Sequence, residues 1–360
     1  MKIAFLIQDI TTAGGTERTT CCLAKQLALH GDDVSIVSVF HNCEHPAFSA
    51  GESVKVQYLT DEIYDGNMSY ARRLIRCLTL RNVIVKNETL RSADVVICQK
   101  IFASLLAYWC GLGDKSIACE HFRYKMYNGA IRFLRNRLYN KLKALVVLTE
   151  ADKRQFLSGG VRNVVCIPNM VSVEPVAYVG SDSKIIVSVG RLTPQKGYDM
   201  LLQAVSLIAD RMGNYCVEIY GEGEQRSELE SIRKQLGIEK YIRFCGYESD
   251  ISGVYSKSLF YVMSSRFEGF PMVILEAAAC RLPIVSFDCP EGPRILLKDG
   301  GGIVVEKDNV RALADAMLKM IEDKEFREKC RQQTRQIIQP YLPESITALW
   351  KTFLLTSLRS

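Results

Sequence analysis

The chain contains 360 residues, of which 24% are charged and 48% are apolar, and this composition excludes a disordered or fibrous protein. A chain of this length predicts two globular domains, each with its own core. Its 13 cysteines form no Cys-x-x-Cys pair, so they indicate reduced thiols in the cytosol and not a zinc site or a secreted disulfide framework. No apolar run approaches the roughly 20 residues that a membrane-spanning helix needs.

The net charge of +6 is unevenly distributed along the chain. The first half holds 22 Lys and Arg against 16 Asp and Glu, whereas the second half holds 24 of each kind. Residues 70–91 carry six basic side chains and one acid, and residues 121–143 carry seven and none. Arg132, Arg135 and Lys143 alternate with apolar residues, which predicts a basic amphipathic surface against the anionic inner face of a membrane. A solvated helix face explains the pattern equally well, and no nucleic-acid-binding motif accompanies it.

Short apolar runs rich in β-branched residues alternate with longer helical patterns along the whole chain. This alternation predicts an α/β fold with parallel sheets covered on both faces. The predicted strands of the first half are KIAFLI (2–7), DVSIVSVF (33–40), VKVQYL (54–59), DVVICQ (94–99), SIACE (116–120) and ALVVLT (144–149). Those of the second half are KIIVSVG (184–190), CVEIYGEG (216–223), IRFCGY (242–247), LFYVMSS (259–265), LPIVSFD (282–288) and GGIVV (301–305).

The spacing of these strands predicts two doubly wound domains joined by a short linker. The stretch 167–184 contains two prolines and no helical period, and we place the linker within it at 171–183. The predicted domains are therefore 1–170 and 184–340. The final segment, 341–360, reads as a helix whose apolar face needs a partner, and we expect it to pack back toward the first domain.

Chemically distinctive residues follow several of the predicted strands, and in open parallel sheets ligands bind beyond the carboxyl ends of strands. Gly14 and Gly15 follow the first strand, where backbone N–H groups can approach a phosphate, although such a pair is more often only a turn. His121 follows SIACE, where an imidazole can act on a substrate hydroxyl. Arg191 and Lys196 follow KIIVSVG in the loop RLTPQKG, and their two cations suit a diphosphate.

The stretch SSRFEGFPMVILEAAACRLPIV (264–285) places Glu268 and Glu276 on either side of a helix start. Pro271 fits the first helical position, and the residues that follow it are good helix formers. A loop that folds Glu268 back over this start would bring both carboxylates and the backbone N–H groups of residues 270–273 toward one polar ligand. The plain alternative is a solvated surface acid followed by an ordinary helical glutamate.

Together these segments resemble the retaining family-4 glycosyltransferases, which have the GT-B fold. The matching segments occur in the family's order: GGTER, EHFRY, VVLTEADK, IPN, SVGRLTPQKGYDMLLQA, IYGEGEQRSELE, FCG and SSRFEGFPMVILEAAACRLPIV. The resemblance covers essentially the whole chain, and the E-x7-E segment and the G-R-x-x-x-x-K-G loop are its specific parts. It implies two Rossmann-like doubly wound domains facing across a cleft, with the donor held mainly by the second domain and the acceptor mainly by the first.

The resemblance also implies a role for each candidate residue. His121 would contact the transferred sugar as a catalytic residue. Arg191 and Lys196 would stabilise the departing diphosphate, and Glu268 would hold the hydroxyls of the sugar ring. Glu276 would bind the ribose hydroxyls of the donor. The complete set of implied donor-binding positions is Gly14, Gly15, Gly190, Phe270, Pro271 and Glu276.

The implied reaction moves a hexose or an N-acetylhexosamine from a nucleotide-sugar, with UDP as the expected nucleotide, to a glycan or lipid-linked acceptor with retention of configuration. We expect a cytoplasmic enzyme, peripheral on the inner face of a bacterial cell membrane, that contributes to capsule, lipopolysaccharide or another surface polysaccharide.

Two details of the sequence bear on the metal and on the donor sugar. No D-x-D motif lies near the implied site, so neither a metal nor a cofactor is expected. Ile295 stands where many relatives carry an acid, which leaves the donor sugar open. Two other functions also stay open: an epimerase of nucleotide-sugars with the same architecture, and a catalytically silent binding subunit.

Overall fold

The computed structural model describes residues 1–60, 80–173, 177–290 and 292–359. Residues 70–79 of the first basic segment and residues 174–176 of the predicted linker lie outside these ranges. The chain divides into two compact units, one made of residues 1–172 with 343–360 and the other of residues 173–342.

The first unit contains a parallel sheet of seven strands in the order β3-β2-β1-β4-β5-β6-β7. The six strands predicted for this half are all present. The edge strand β7 is not among them, because three residues are too few to show a strand period. The strands are β1 Lys2–Asp9, β2 Asp33–Phe40, β3 Lys55–Tyr58, β4 Val95–Gln99, β5 Ser116–Glu120, β6 Ala144–Val147 and β7 Val164–Cys166.

Helices cover both faces of this sheet. Residues 80–86 are helical, and the other helices are Gly15–Leu29, Glu88–Ser92, Lys100–Trp109, Gly129–Tyr139, Glu150–Ser158 and Pro343–Arg359.

The last helix, Pro343–Arg359, belongs to the first unit although it ends the chain. Its Trp350 and Leu354 are buried in the same apolar cluster as Leu27 and the β1 residue Phe5. Burial of a side chain such as that of Leu354 contributes about 1.5–3 kcal/mol. Within the described residues, no helix combines the length and the hydropathy needed to cross a membrane.

The second unit contains a parallel sheet of six strands in the order β10-β9-β8-β11-β12-β13. All six correspond to predicted strands, so the doubly wound α/β prediction is confirmed for both halves. The strands are β8 Ile185–Val189, β9 Cys216–Tyr220, β10 Ile242–Gly246, β11 Phe260–Met263, β12 Ile284–Phe287 and β13 Gly302–Val305. The helices are Tyr198–Ile208, Arg226–Gln235, Ile251–Lys257, Met272–Ala279, Pro293–Leu296, Val310–Glu322 and Lys324–Ile338.

Each sheet reverses its strand order once, between β1 and β4 in the first unit and between β8 and β11 in the second. At such a reversal the connections from two neighbouring strands leave toward opposite faces, which opens a crevice at the carboxyl edge of the sheet. In the first unit, Gly14 and Gly15 follow β1. In the second unit, Arg191 and Lys196 follow β8, and Glu268 follows β11.

The second basic segment does not have the surface that its sequence predicts. Arg135, predicted to face a membrane, is fully buried, with Nη1 3.4 Å from Oε2 of the equally buried Glu120. The prediction for Arg135 is wrong because a lone arginine favours solvent, whereas a buried cation is tolerated when a carboxylate compensates it. The exposed part of the same helix carries Phe133, Leu134 and Arg137.

Candidate functional site

Two loops lie side by side where the strand order of the second sheet reverses. The loop after β8 comprises residues 190–197, and the loop after β11 comprises residues 264–271. The Ser264 hydroxyl donates to the Lys196 carbonyl at 3.0 Å, and the Arg266 amide donates to the Gln195 carbonyl at 2.8 Å. These hydrogen bonds fix one loop against the other.

Gly197 allows this close approach. Its backbone is left-handed, with φ of +63°, and an added Cβ would lie 2.2 Å from the Ser264 carbonyl oxygen. Gly190 leaves room for the Lys196 side chain, because a Cβ there would lie 3.0 Å from Lys196 Cε. Both glycines of the G-R-x-x-x-x-K-G loop therefore serve packing within the protein. At position 197 only glycine fits, because any side chain would collide with the Ser264 carbonyl.

Lys196 and Glu268 form the central ion pair of this site, with Nζ and Oε1 2.8 Å apart. The Ser265 hydroxyl donates to the same carboxylate oxygen at 2.6 Å, and Gln195 Nε2 lies 3.4 Å from the other oxygen. Glu268 is only 6% exposed. A carboxylate buried to this extent requires such compensation, so the two residues act as one unit and not as separate groups.

Arg191 differs from Lys196 in its surroundings. It is exposed, and within the described residues its guanidinium has no ion-pair partner. Its backbone is held by the turn in which the Thr193 amide donates to the Arg191 carbonyl at 2.8 Å. The loop thus presents one free guanidinium and one ammonium that is shared with a carboxylate. Both charges are suited to bind phosphate oxygens.

Arg266 and Asp199 brace the two loops, and sequence reasoning missed both residues. The guanidinium donates to both carboxylate oxygens, at 2.9 and 2.6 Å, and also to the Pro194 carbonyl at 2.8 Å. Although partial burial opposes ionisation, the hydrogen bonds and charge of Arg266 lower the pKa of Asp199. The partners are 67 residues apart, and no local pattern reveals such a pair.

Glu276 lies within the helix Met272–Ala279 and is 5% exposed. Burial, with Glu276 as the next contributor, raises the pKa of Tyr255 well above its ordinary value. Glu268 is buried as well, so the plain alternative of a solvated surface acid at position 268 is wrong. Each occupies a protected position that calls for hydrogen-bond donors.

The helix start after Glu268 offers a ligand fewer free backbone N–H groups than the sequence predicts. Pro271 occupies the position before the helix and not its first residue, and it has no N–H group. The Met272 amide donates to the Phe270 carbonyl at 2.8 Å, and the Ile274 amide donates to the Pro271 carbonyl at 3.0 Å. The amides of Phe270 and Val273 are therefore the donors of this turn best suited to a ligand.

In the first unit, the glycine pair lies at the start of the helix Gly15–Leu29. Gly14 is extended, with φ of −137° and ψ of 167°, and its amide donates to the Thr12 carbonyl at 3.1 Å. A Cβ added to Gly15 would meet no atom within 4 Å. The protein itself therefore does not require a glycine at position 15, and open space remains at this helix N-terminus for an anionic group.

His121 follows β5 and is half-buried, with Nε2 2.6 Å from Gln99 Oε1 at the end of β4. Burial, assisted by the charge of Lys100, lowers the pKa of His121 to about 3. The imidazole is therefore neutral at physiological pH. Because Gln99 Oε1 is an acceptor, the ring proton resides on Nε2 and leaves Nδ1 as an acceptor.

Lys100 is a third residue that sequence reasoning missed, after Arg266 and Asp199. It begins the helix Lys100–Trp109 with φ of +68°, a conformation that costs a residue other than glycine about 1–2 kcal/mol. Its Nζ lies 3.5 Å from Glu17 Oε1 and 5.4 Å from the centre of the Phe122 ring. Its position directly after the strand DVVICQ was the available signal, because that edge of the sheet faces ligands.

Among residues 1–60, 80–173, 177–290 and 292–359, no group of three or more His, Cys, Asp or Glu side chains is arranged to hold a metal ion.

Two family models match the chain, one in each half. Residues 13–175 match the model described as Glycosyltransferase Family 4, and residues 177–337 match the model described as Glycosyl transferases group 1. The chain therefore belongs to the glycosyltransferases that combine these two domains.

The similarity to several known proteins extends over essentially the whole chain. An uncharacterized glycosyltransferase of Haemophilus influenzae is 29% identical over 98% of this chain and 99% of its own length. The Campylobacter jejuni GalNAc-alpha-(1->4)-GalNAc-alpha-(1->3)-diNAcBac-PP-undecaprenol alpha-1,4-N-acetyl-D-galactosaminyltransferase is 28% identical over 97% of both chains. A variant of S. aureus TarM, solved with Fondaparinux, alpha-GlcNAc-glycerol and UDP, has a TM-score of 0.81 at 14% identity and covers all of both chains. The predicted GT-B fold is thus confirmed.

The contact at Gly197 gives a prediction for stability. Gly197→Ala and Gly213→Ala both place a side chain on left-handed backbone, but a Cβ at Gly213 meets nothing within 4 Å. We expect Gly213→Ala to lower the free energy of unfolding by about 1–2 kcal/mol. Gly197→Ala should cost clearly more because it also pushes the Ser264 carbonyl away, and denaturant titration of the two variants measures the difference. Equal losses would show that the loops tolerate separation.

Proposed function

We propose that this glycosyltransferase moves a hexose or an N-acetylhexosamine from a UDP-sugar to a glycan or lipid-linked acceptor, with retention of anomeric configuration. The observation that carries the proposal is the Lys196–Glu268 pair beside the free guanidinium of Arg191, at the strand-order reversal of the second sheet. The expected UDP and lipid-linked acceptor are supported by the ligands and names of the similar proteins.

In this proposal the cations act on the leaving group. As the bond between the anomeric carbon and the phosphate oxygen breaks, the departing diphosphate gains negative charge. Arg191 and Lys196 stabilise that charge, so no divalent ion or cofactor is required. The acceptor hydroxyl oxygen forms the new bond to the same carbon, its proton passes to the departing diphosphate oxygen, and UDP is released.

The remaining groups bind the polyol parts of the donor. Glu268 and the amide of Phe270 hold hydroxyls of the sugar ring, and Glu276 accepts hydrogen bonds from the ribose hydroxyls. Two carboxylates are needed because a nucleotide-sugar has two polyol ends separated by a diphosphate. His121 contacts the transferred sugar as a neutral imidazole, and Gly15 approaches the diphosphate.

The proposal is tested by a donor screen with UDP-, GDP- and ADP-sugars. Thermal shift identifies the nucleotide-sugar that binds, and product analysis with an undecaprenyl-diphosphate-linked glycan identifies transfer and the anomeric configuration. We expect UDP release that depends on the acceptor. Conversion of the donor to its epimer without an acceptor, or binding without turnover of any donor, would contradict the proposal.

Arg191 provides the sharpest test of leaving-group stabilisation, because it is exposed and its loss leaves no buried charge behind. Arg191→Ala should lower kcat by about 100- to 1000-fold, equivalent to about 3–4 kcal/mol of transition-state stabilisation. The unfolding transition should stay unchanged, as should kcat in the matched variant Arg311→Ala on the exposed side of another helix of the unit. Lys196→Ala should impair both kcat and stability, since Glu268 then loses its counter-charge. Normal kcat in Arg191→Ala would refute the assignment.

Glu276 is tested by a cycle of mutation and donor modification. Glu276→Gln keeps the size of the side chain but removes the charge and one acceptor oxygen. Each charge-assisted hydrogen bond contributes about 1.5–3 kcal/mol, so donor affinity should fall at least tenfold. The wild type should bind a 2′-deoxyribose donor poorly, and the variant should lose little further affinity for it, because both changes delete the same contact. Additive losses, measured by calorimetry, would place Glu276 away from the ribose.

We also propose that the first unit binds the anionic inner face of the cell membrane, where a lipid-linked acceptor resides. The apolar side chains Met126, Phe133 and Leu134 are each more than half exposed, and Lys125 and Arg137 are exposed beside them. Apolar side chains with neighbouring cations favour the interface of an anionic bilayer. This surface replaces the one that included Arg135.

Charge-reversal variants distinguish binding through this surface from a general effect of the protein's net charge. Lys125→Glu with Arg137→Glu should release the protein from vesicles that contain phosphatidylglycerol, whereas the control pair Arg154→Glu with Arg162→Glu should not. All four residues are exposed, and both double variants change the net charge equally. Added salt should weaken wild-type binding, because these attractions are screened over about 8–10 Å. Equal release by both pairs in a vesicle sedimentation assay would exclude a specific surface.

A further inference from the structure

The segment that carries His121 is anchored by buried groups on both sides of the imidazole. The segment comprises residues 121–127, between β5 and the helix Gly129–Tyr139. The Phe122 amide lies 3.3 Å from Glu120 Oε1, and the Tyr124 amide donates to Asp152 Oδ1 at 2.9 Å. The backbone that follows His121 is thus tied to two carboxylates that solvent barely reaches.

Arg135 joins the two ends of this anchor. Its Nη1 lies 3.4 Å from Glu120 Oε2, and its Nη2 donates to the Tyr124 carbonyl at 3.0 Å. One guanidinium therefore contacts the residue before His121 and the residue three positions after it. The cation also lies between three aromatic rings, at 5.2, 5.3 and 4.5 Å from the centres of Tyr124, Tyr127 and Phe156.

Fold stability is a weak reason for such a pair. Transfer of two charges from water into the interior is costly, and replacement of a buried ion pair by apolar residues is often neutral or stabilising. The charged form of Glu120 is disfavoured by burial, which raises its pKa, and the charge of Arg135 is the largest influence that opposes the rise. Tyr139 also donates to Glu120 Oε2, at 2.9 Å. What the pair provides is a fixed geometry for the chain around His121.

We propose that Arg135 and Glu120 are positioning residues for glycosyl transfer. The buried pair fixes residues 121–127 and thereby holds the imidazole of His121 against Gln99 at the ligand-facing edge of the sheet. The inference rests on the role proposed for His121. Arg135 itself is fully buried, so in this proposal it acts on the donor and the acceptor only through this segment.

The test compares two arginines that undergo the same chemical change. Arg135→Met replaces a buried cation by an apolar side chain of similar length. Arg154→Met makes the same replacement at an exposed position of the same unit. Displacement of a catalytic group by about 1 Å can cost roughly 100-fold in rate. We expect kcat to fall at least tenfold in folded Arg135→Met, with the KM for the donor within threefold of wild type. Arg154→Met should match wild type in both.

A second readout follows the imidazole directly and needs no turnover. In wild-type protein the ring signals of His121, assigned in NMR spectra with His121→Gln, should stay constant from pH 8 to 4.5, because its pKa is about 3. In Arg135→Met the segment should loosen and admit water, so the pKa of His121 should rise toward the ordinary value of 6.5. The same signals should then shift between pH 8 and 4.5. In Arg154→Met they should not change.

Two further variants keep the test decisive if Arg135→Met does not fold. Arg135→Lys keeps the charge but cannot reach both Glu120 and the Tyr124 carbonyl, and Tyr139→Phe removes only one hydrogen bond to Glu120. Both should lower kcat, Tyr139→Phe by a smaller factor. Folded variants with kcat within twofold of wild type, or with unchanged His121 signals, would overturn the inference. A wild type that transfers no sugar would instead refute the proposed function, and the NMR comparison would still decide this inference.

Discussion

The ion pair between Lys196 and Glu268 is the constraint around which the second unit arranges its site. A carboxylate that is 6% exposed needs a counter-charge, and the hydroxyl of Ser265 and the amide of Gln195 are neutral donors that cannot supply it. The same ammonium is 18% exposed, so it can also face a ligand. The close approach at Gly197 follows from this pair, because the loops after β8 and β11 must lie within reach of each other.

The two units solve the electrostatics of the proposed reaction in opposite ways. The second presents cations, which suit a leaving diphosphate. The first presents His121 as a neutral ring, kept so by burial and by Lys100. When the bond at the anomeric carbon breaks, the sugar ring gains positive charge, and an imidazolium in contact with it would oppose that change. A neutral imidazole can hydrogen-bond a sugar hydroxyl without this penalty. Lys100 thus contributes to the site through its effect on a neighbour.

Local patterns sufficed to predict twelve of the thirteen strands found in the described residues, because the period of a strand is a local property of the sequence. The candidate residues were chosen by their positions after these strands. Local patterns failed where a side chain depends on a distant partner. Arg266 is fixed by Asp199, 67 residues away, and Arg135 by Glu120, which no local period connects to it. The sequence marks each of these arginines as an ordinary surface cation. Only the folded chain shows which charges are compensated.

Arg135 and Arg137 show how one short helix can serve two purposes. Two positions along a helix differ by about 200° in direction, so Arg135 turns inward to Glu120 while Arg137 points outward, with its guanidinium 4.5 Å from the Phe133 ring. The inner side of the helix Gly129–Tyr139 thereby fixes the segment of His121, and the outer side carries the side chains proposed to meet a bilayer. Contact with a lipid-bound acceptor and alignment of the imidazole would then depend on the same rigid element. The two effects remain separable by mutation, because helix geometry assigns each to different residues.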